Sequence, residues 1–150
     1  MTGTKPSQVI GRSIASIIVG FLVVAVLSLG TDEILHLAGV YPPWGQPNSD
    51  AVLMMATAYR VLYSIAGAYV TARLAPENPM RLALIGGAIG LALSVAGAAA
   101  TWNRGLGGHW YSITIAAIAM PCAWLGGNLR LRQLRTESVG NVVGAKAARV

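Results

Sequence analysis

Four long apolar runs, separated by short polar stretches, set the pattern of this chain. They cover residues 13–31 (SIASIIVGFLVVAVLSLGT), 51–74 (AVLMMATAYRVLYSIAGAYVTARL), 82–100 (LALIGGAIGLALSVAGAAA) and 111–129 (YSITIAAIAMPCAWLGGNL). A helix needs about 20 apolar residues to cross a hydrocarbon core of about 30 Å, and each run has that length. None alternates with period two over ~10 residues, so a membrane β-barrel is excluded. The pattern predicts an all-α, four-helix transmembrane bundle as a single domain over residues 1–135. Periodicity ends after Arg135, and residues 136–150 are expected to form a mobile, basic cytoplasmic tail.

The connections refine this picture. The first helix is expected to run on to Leu37 or Ala38 and stop before the stiff turn Tyr41-Pro42-Pro43-Trp44-Gly45. Residues 75–79, with two prolines, are short enough to make the second and third helices an antiparallel hairpin. Lys5, Arg12 and the small residues Ser28 and Gly30 give the first run some likeness to a secretory signal. Its apolar core exceeds the usual 7–15 residues, so it is expected to be a retained helix.

Charge then predicts the orientation. Lys5, Arg12, Arg73, Arg81, Arg130, Arg132, Arg135, Lys146 and Arg149 lie on one side of the runs, and Arg104 alone on the other. Basic residues concentrate in cytoplasmic segments, so both termini are expected in the cytoplasm. At 55% hydrophobic and 11% charged residues the chain lies far from soluble domains, in which roughly 25% are charged. The net charge of +6 therefore marks a membrane side and contact with anionic lipid headgroups rather than nucleic acid. The one cysteine, Cys122, lies inside an apolar run, which excludes an internal disulfide and a thiolate metal cluster.

Candidate chemistry gathers at the outer ends of the first two helices. Arg60 lies nine residues into the second run, about 13 Å deep at 1.5 Å per residue. A guanidinium at that depth needs a partner or a polar cavity. Asp32 and Glu33 are the nearest acids, and Glu33 is the preferred partner because His36 stands one turn from Asp32 and can occupy it. Tyr59 and Tyr63 add hydroxyls at similar depth. Glu33 and His36 share a helix face, but di-iron bundles need two such pairs and further glutamates. His109 has no acid near it in sequence. No metal and no cofactor is expected. Tyr41, Trp44, Trp102, Trp110 and Tyr111 gather on the outer side with His36, Asn103 and His109, as an interface belt or as the lining of an outer pocket.

Helix three carries a stripe of small residues, Ala83, Gly87, Gly90, Ser94 and Gly97, with Gly86 and Gly90 forming a small-xxx-small pair. Helix four repeats this with Ala119, Ala123 and Gly127. Small residues let helix backbones approach closely in lipid. Gly86, Gly87, Gly90 and Gly97 are thus expected to pack within the bundle, or to form a face for a second copy or another membrane subunit.

The segment Gly67-Ala68-Tyr69-Val70-Thr71-Ala72-Arg73-Leu74-Ala75-Pro76, followed by Gly86-Gly87, resembles small four-helix proteins of the bacterial inner membrane that have no assigned activity. The resemblance implies that location and no reaction. Small multidrug transporters carry an acid deep in helix one, membrane glutathione transferases a polar motif on helix two, and membrane thiol oxidoreductases paired cysteines; this chain has none of these. Its leading expected role is a non-catalytic accessory or scaffold subunit, with membrane lipids, itself or other membrane subunits as partners. The alternatives are a small transporter or channel using Arg60 and Glu33, and an enzyme or lipid- or quinone-binding protein with a site at the outer membrane face.

Overall fold

The structure, a computed structural model, describes residues 6–43 and 45–105, and residues 107–147 with backbone alone beyond Gly140. Of the residues used above, Lys5, Trp44 and Arg149 lie outside it, as does the Lys146 side chain. The chain forms four helices, α1 (Pro6–Leu37), α2 (Asp50–Leu74), α3 (Pro79–Thr101) and α4 (His109–Ala147). All four contain stretches long and apolar enough to cross a membrane.

Local chemistry explains three of the helix ends. Gly39 adopts a left-handed φ of 71°, and its N–H and that of Val40 return to the carbonyls of His36 and Leu35, closing α1. The Ser49 hydroxyl accepts from the Val52 N–H at the start of α2, beside the Asp50 carboxylate. Pro79 opens α3, where its missing N–H costs nothing. Two helices outrun their apolar segments. α1 begins at Pro6 rather than near Ser13, and α4 continues past Leu129 to Ala147. The residues from Arg130 to Arg135 are strong helix formers with no breaker among them, so the helix persists after the apolar pattern ends. With 39 residues, α4 is about 58 Å long, well beyond one hydrocarbon core.

The helices alternate in direction, so the basic residues Arg12, Arg73, Arg81, Arg130, Arg132 and Arg135 share one end, here the terminal end. The α1–α2 and α3–α4 loops occupy the other, the distal end. Neighbours follow a ring, α1–α2–α4–α3, in which α1 and α3 barely touch. Large apolar side chains such as Ile14, Leu22, Leu62 and Ile113 point outward and are not covered by protein. The buried positions of α1 are Ser16, Gly20 and Asp32. This reverses the order of a water-soluble domain and suits a bilayer solvent, where small residues at helix contacts substitute for a hydrophobic driving force.

Close contact is concentrated at a few glycines. A Cβ on Gly67 would lie 2.7 Å from the Gly20 carbonyl oxygen, and one on Gly126 would lie 2.6 Å from the Ile65 carbonyl oxygen. These two crossings join α1 to α2 and α4 to α2. Gly87 sits against the Ala123 methyl, and Gly127 against Met80 and Ala83, joining α3 to α4. The small-residue stripe of α3 behaves differently beyond Gly87. Gly90 meets only the Phe21 ring, at 3.8 Å, and Gly86 and Gly97 meet nothing within 4 Å. Close approach along the whole stripe is therefore not what the structure has: α3 follows α4 but diverges from α1, so these glycines leave space.

Gly67→Ala and Gly126→Ala should each destabilise the bundle by about 1–3 kcal/mol, since the added methyl meets backbone that cannot yield cheaply. Gly97→Ala and Gly90→Ala should be neutral or slightly stabilising, because alanine is the better helix former. Reversible unfolding of the purified variants in mixed micelles measures the difference. Equal losses at all four positions would contradict the assignment of contacts.

Candidate functional site

The register that seats Gly20 on Gly67 brings Asp32, about three turns further along α1, within reach of Tyr59 and Arg60, about two turns along α2. Ser16, Gly20, Val24, Ser28 and Asp32 follow one another at intervals of four and form one inclined ridge of α1, which drifts ~40° round the axis at each step. That ridge meets α2, and Asp32 is buried at its distal end.

Arg60 Nη2 lies 2.5 Å from Asp32 Oδ2. The Tyr59 hydroxyl donates to Asp32 Oδ1, and Arg60 Nη1 donates to the Tyr111 hydroxyl on α4. The Tyr41 and Tyr59 hydroxyls are 2.6 Å apart. Because Tyr59 gives its proton to Asp32, Tyr41 is the donor in that contact. The result is a directed chain, Tyr41 to Tyr59 to Asp32, closed by Arg60, whose other nitrogen reaches Tyr111. One turn deeper, Thr31 Oγ1 and the Tyr63 hydroxyl lie 2.9 Å apart. The Arg60 guanidinium also sits 5.7 Å from the centre of the Tyr111 ring.

The acid partner of Arg60 is Asp32 and not Glu33, the preferred choice from sequence. Two facts explain the correction. Glu33 is ~100° further round the helix axis, where it is exposed. His36 does bond to residue 32, but Nδ1 takes the backbone carbonyl at 2.8 Å and leaves the carboxylate for Arg60. The His36 ring stands edge-on to Tyr41, with centroids 5.0 Å apart. His109 lies across the end of α3, with Nε2 3.0 Å from the Trp102 carbonyl oxygen and its ring 4.3 Å from the Trp102 ring. Glu33 and His109 are thus not part of the ion-pair cluster, whereas Asp32, Tyr59 and Arg60 form it. Tyr41 and Tyr111 belong to it as well. The sequence placed both among outer-side aromatics, as an interface belt or the lining of an outer pocket, and no local spacing links Tyr111 to an arginine 51 residues away.

Two cavities meet at this cluster. The inner one, of ≈470 Å³, occupies the bundle centre and is walled by all four helices, with Gly20, Ser64, Gly86, Gly90 and Ala119 in its lining. The outer one, of ≈320 Å³, lies at the distal end among Tyr41, Asn48, Trp102, His109 and Tyr111. Asp32 and Arg60 line both, so the ion pair is their shared wall. Leu29 of α1 and Leu93 of α3 line the inner cavity yet are 66% and 61% uncovered, which makes them the rim of an opening along the loose α1–α3 seam. Arg60 Nε–H is buried and lacks a hydrogen-bond partner.

Breaking the pair from one side leaves an uncompensated charge, at about 3–5 kcal/mol for a buried pair. With 31% of the Arg60 side chain and 12% of that of Asp32 uncovered, Asp32→Asn and Arg60→Met should each cost about 3 kcal/mol, the low end of that range. The double variant should recover most of the larger loss. Glu33→Gln should change stability by less than ~0.5 kcal/mol, as exposed positions do. A double-mutant cycle from micelle unfolding gives these values. Additive losses, or a cost at Glu33 equal to that at Asp32, would contradict the pairing.

No known family's signature matches the chain, nor is any curated protein or solved structure similar to it, so the site geometry carries the functional reading.

Proposed function

We propose that this is a multi-pass protein of a bacterial inner membrane, with both ends in the cytoplasm, that binds an amphiphilic small molecule taken from the bilayer. The observation that carries this reading is the inner cavity: apolar and glycine-lined along its length, charged at its distal end, and open at one side seam. Its volume lies within the 300–1,000 Å³ range of small-molecule sites. From Ala83 to Ser94 along α3 the lining extends about 16 Å, enough for a lipid-like tail laid parallel to the helices. The tail lies between α1 and α3 past Leu29 and Leu93, and the polar head is held where Asp32 and Arg60 line the cavity.

This reading is the third of the sequence expectations. An accessory or scaffold subunit gives no reason for a hollow centre. A transporter built on Arg60 and Glu33 loses support, because Glu33 lies off the cluster. The orientation rests on the excess of basic residues at the terminal end, which favours the cytoplasmic side.

Protein released in gentle detergent should retain a co-purifying amphiphile, visible as an added mass in native mass spectrometry. Gly86→Leu should abolish it, since position 86 has open space for a side chain that then fills the cavity. In the same preparation of cells, after Cys122→Ser, Asn48→Cys should react with an impermeant thiol reagent while Asn78→Cys and Ser138→Cys stay protected. An adduct that survives Gly86→Leu, or its absence from the unmodified protein, would overturn the binding reading. Labelling at positions 78 and 138 with protection at 48 would overturn the orientation.

A further inference from the structure

Hydrogen-bond accounting at the shared wall identifies the kind of head that the site accepts. Tyr41, Tyr59 and Asp32 satisfy one another in sequence, each proton having an acceptor. The surplus is on the other side. Arg60 has five N–H donors, and its observed hydrogen bonds go to Asp32 and Tyr111. Its Nε–H is buried with no partner. Tyr111 accepts from Arg60, which leaves its own O–H available to donate. A buried donor without an acceptor forfeits its hydration for nothing in return. The cluster therefore has donors to spare, and a ligand completes it by bringing acceptors.

Charge narrows the choice. Asp32 and Arg60 already neutralise each other at 2.5 Å. An anionic head could reach the same spare donors but would leave the neutral pair carrying a net negative charge, and a cationic head a net positive one; either uncompensated charge is unfavourable at that depth. An uncharged head meets no such penalty. Shape narrows it again. Beyond the pair, the outer cavity is bordered by the rings of Tyr41, Trp102, His109 and Tyr111, with neutral polar groups such as Asn48 and Ser112 among them. Such walls suit a flat ring, through offset or edge-on contacts.

Resting on the reading that the inner cavity holds an amphiphile's tail, we infer that the head is an uncharged planar ring bearing carbonyl acceptors, the quinone-like class, seated against the Arg60–Tyr111 contact with its ring in the outer cavity. One carbonyl oxygen accepts from the Tyr111 hydroxyl, and the tail passes the ion pair into the glycine-lined space. The two cavities, which the pair separates, are then the two halves of one site.

The test uses the full-length chain in detergent, freed of endogenous lipid. The probe is a benzoquinone with a ten-carbon chain, followed by quenching of tryptophan fluorescence, with displacement by the ten-carbon fatty acid at pH 8. The quinone should bind at least tenfold more tightly than the fatty acid. Tyr111→Phe, which keeps the ring and removes the donor, should weaken quinone binding about tenfold and leave the fatty acid unaffected. Arg60→Met should weaken it further, and Gly86→Leu should abolish it. A fatty acid that matches or exceeds the quinone would overturn the head assignment while leaving the cavity reading intact. Quinone binding unchanged in Tyr111→Phe would overturn the placement of the ring. Binding of either probe unchanged in Gly86→Leu, or no binding of either, would overturn the cavity reading itself.

Discussion

The contact between Asp32 and Arg60 constrains everything else in this bundle. Neither charge is tolerable alone at that depth, because removing an ion from water costs several kcal/mol and lipid offers no compensation. The pair consequently fixes the register of α1 against α2, and Arg60 extends the tie to α4 through Tyr111. No comparable polar link ties α3 to α1 among the described residues. The seam between those two helices is the loose joint of the ring, and the inner cavity opens along it.

Small residues serve two opposite purposes here, and geometry decides which. At Gly20 and Gly67, and again at Gly126, a missing Cβ lets two backbones come into contact. At Gly86 and Gly90 the same residue type borders a void, because α1 reaches Gly90 only with the Phe21 ring and does not reach Gly86 at all. Lipid supplies little drive to close such a gap, since an apolar surface is as well solvated by acyl chains as by another helix. A hollow bundle centre is therefore less costly in a bilayer than an equal cavity would be in water, and it suits occupation by a bilayer component.

Much of the fold was legible in the chain, and the reasons for the exceptions are physical. Apolar run length gave the four helices and their hairpin order. It did not give the ends at Pro6 and Ala147, because helix formation continues wherever the residues allow it, regardless of polarity. Arg60 stood out from composition alone. Its partner was misread as Glu33 because a neighbouring acid looks equivalent along the sequence, yet lies ~100° away around the axis. The ridge Ser16, Gly20, Val24, Ser28 and Asp32 leads to the correct acid only once α2 is known to follow its ~40° drift per step, which the sequence does not state. Tyr111 had no such signal, since a contact spanning 51 residues leaves no local trace. The stripe on helix three was visible, but whether it packs or makes space depends on the axis of α1, which no pattern within α3 encodes.

The central claim is that a bilayer amphiphile occupies the bundle centre through the α1–α3 seam. Photo-crosslinking in native membranes with a diazirine-bearing, uncharged long-chain lipid analogue tests it directly, with modified residues mapped by mass spectrometry. Adducts should concentrate on Leu29, Leu93, Ser94 and Ile118, residues of the rim and the cavity wall. They should fall several-fold at those positions in Gly86→Leu. Adducts spread evenly over outward positions such as Ile14, Leu62 and Ile113, with no excess at the seam, would contradict it.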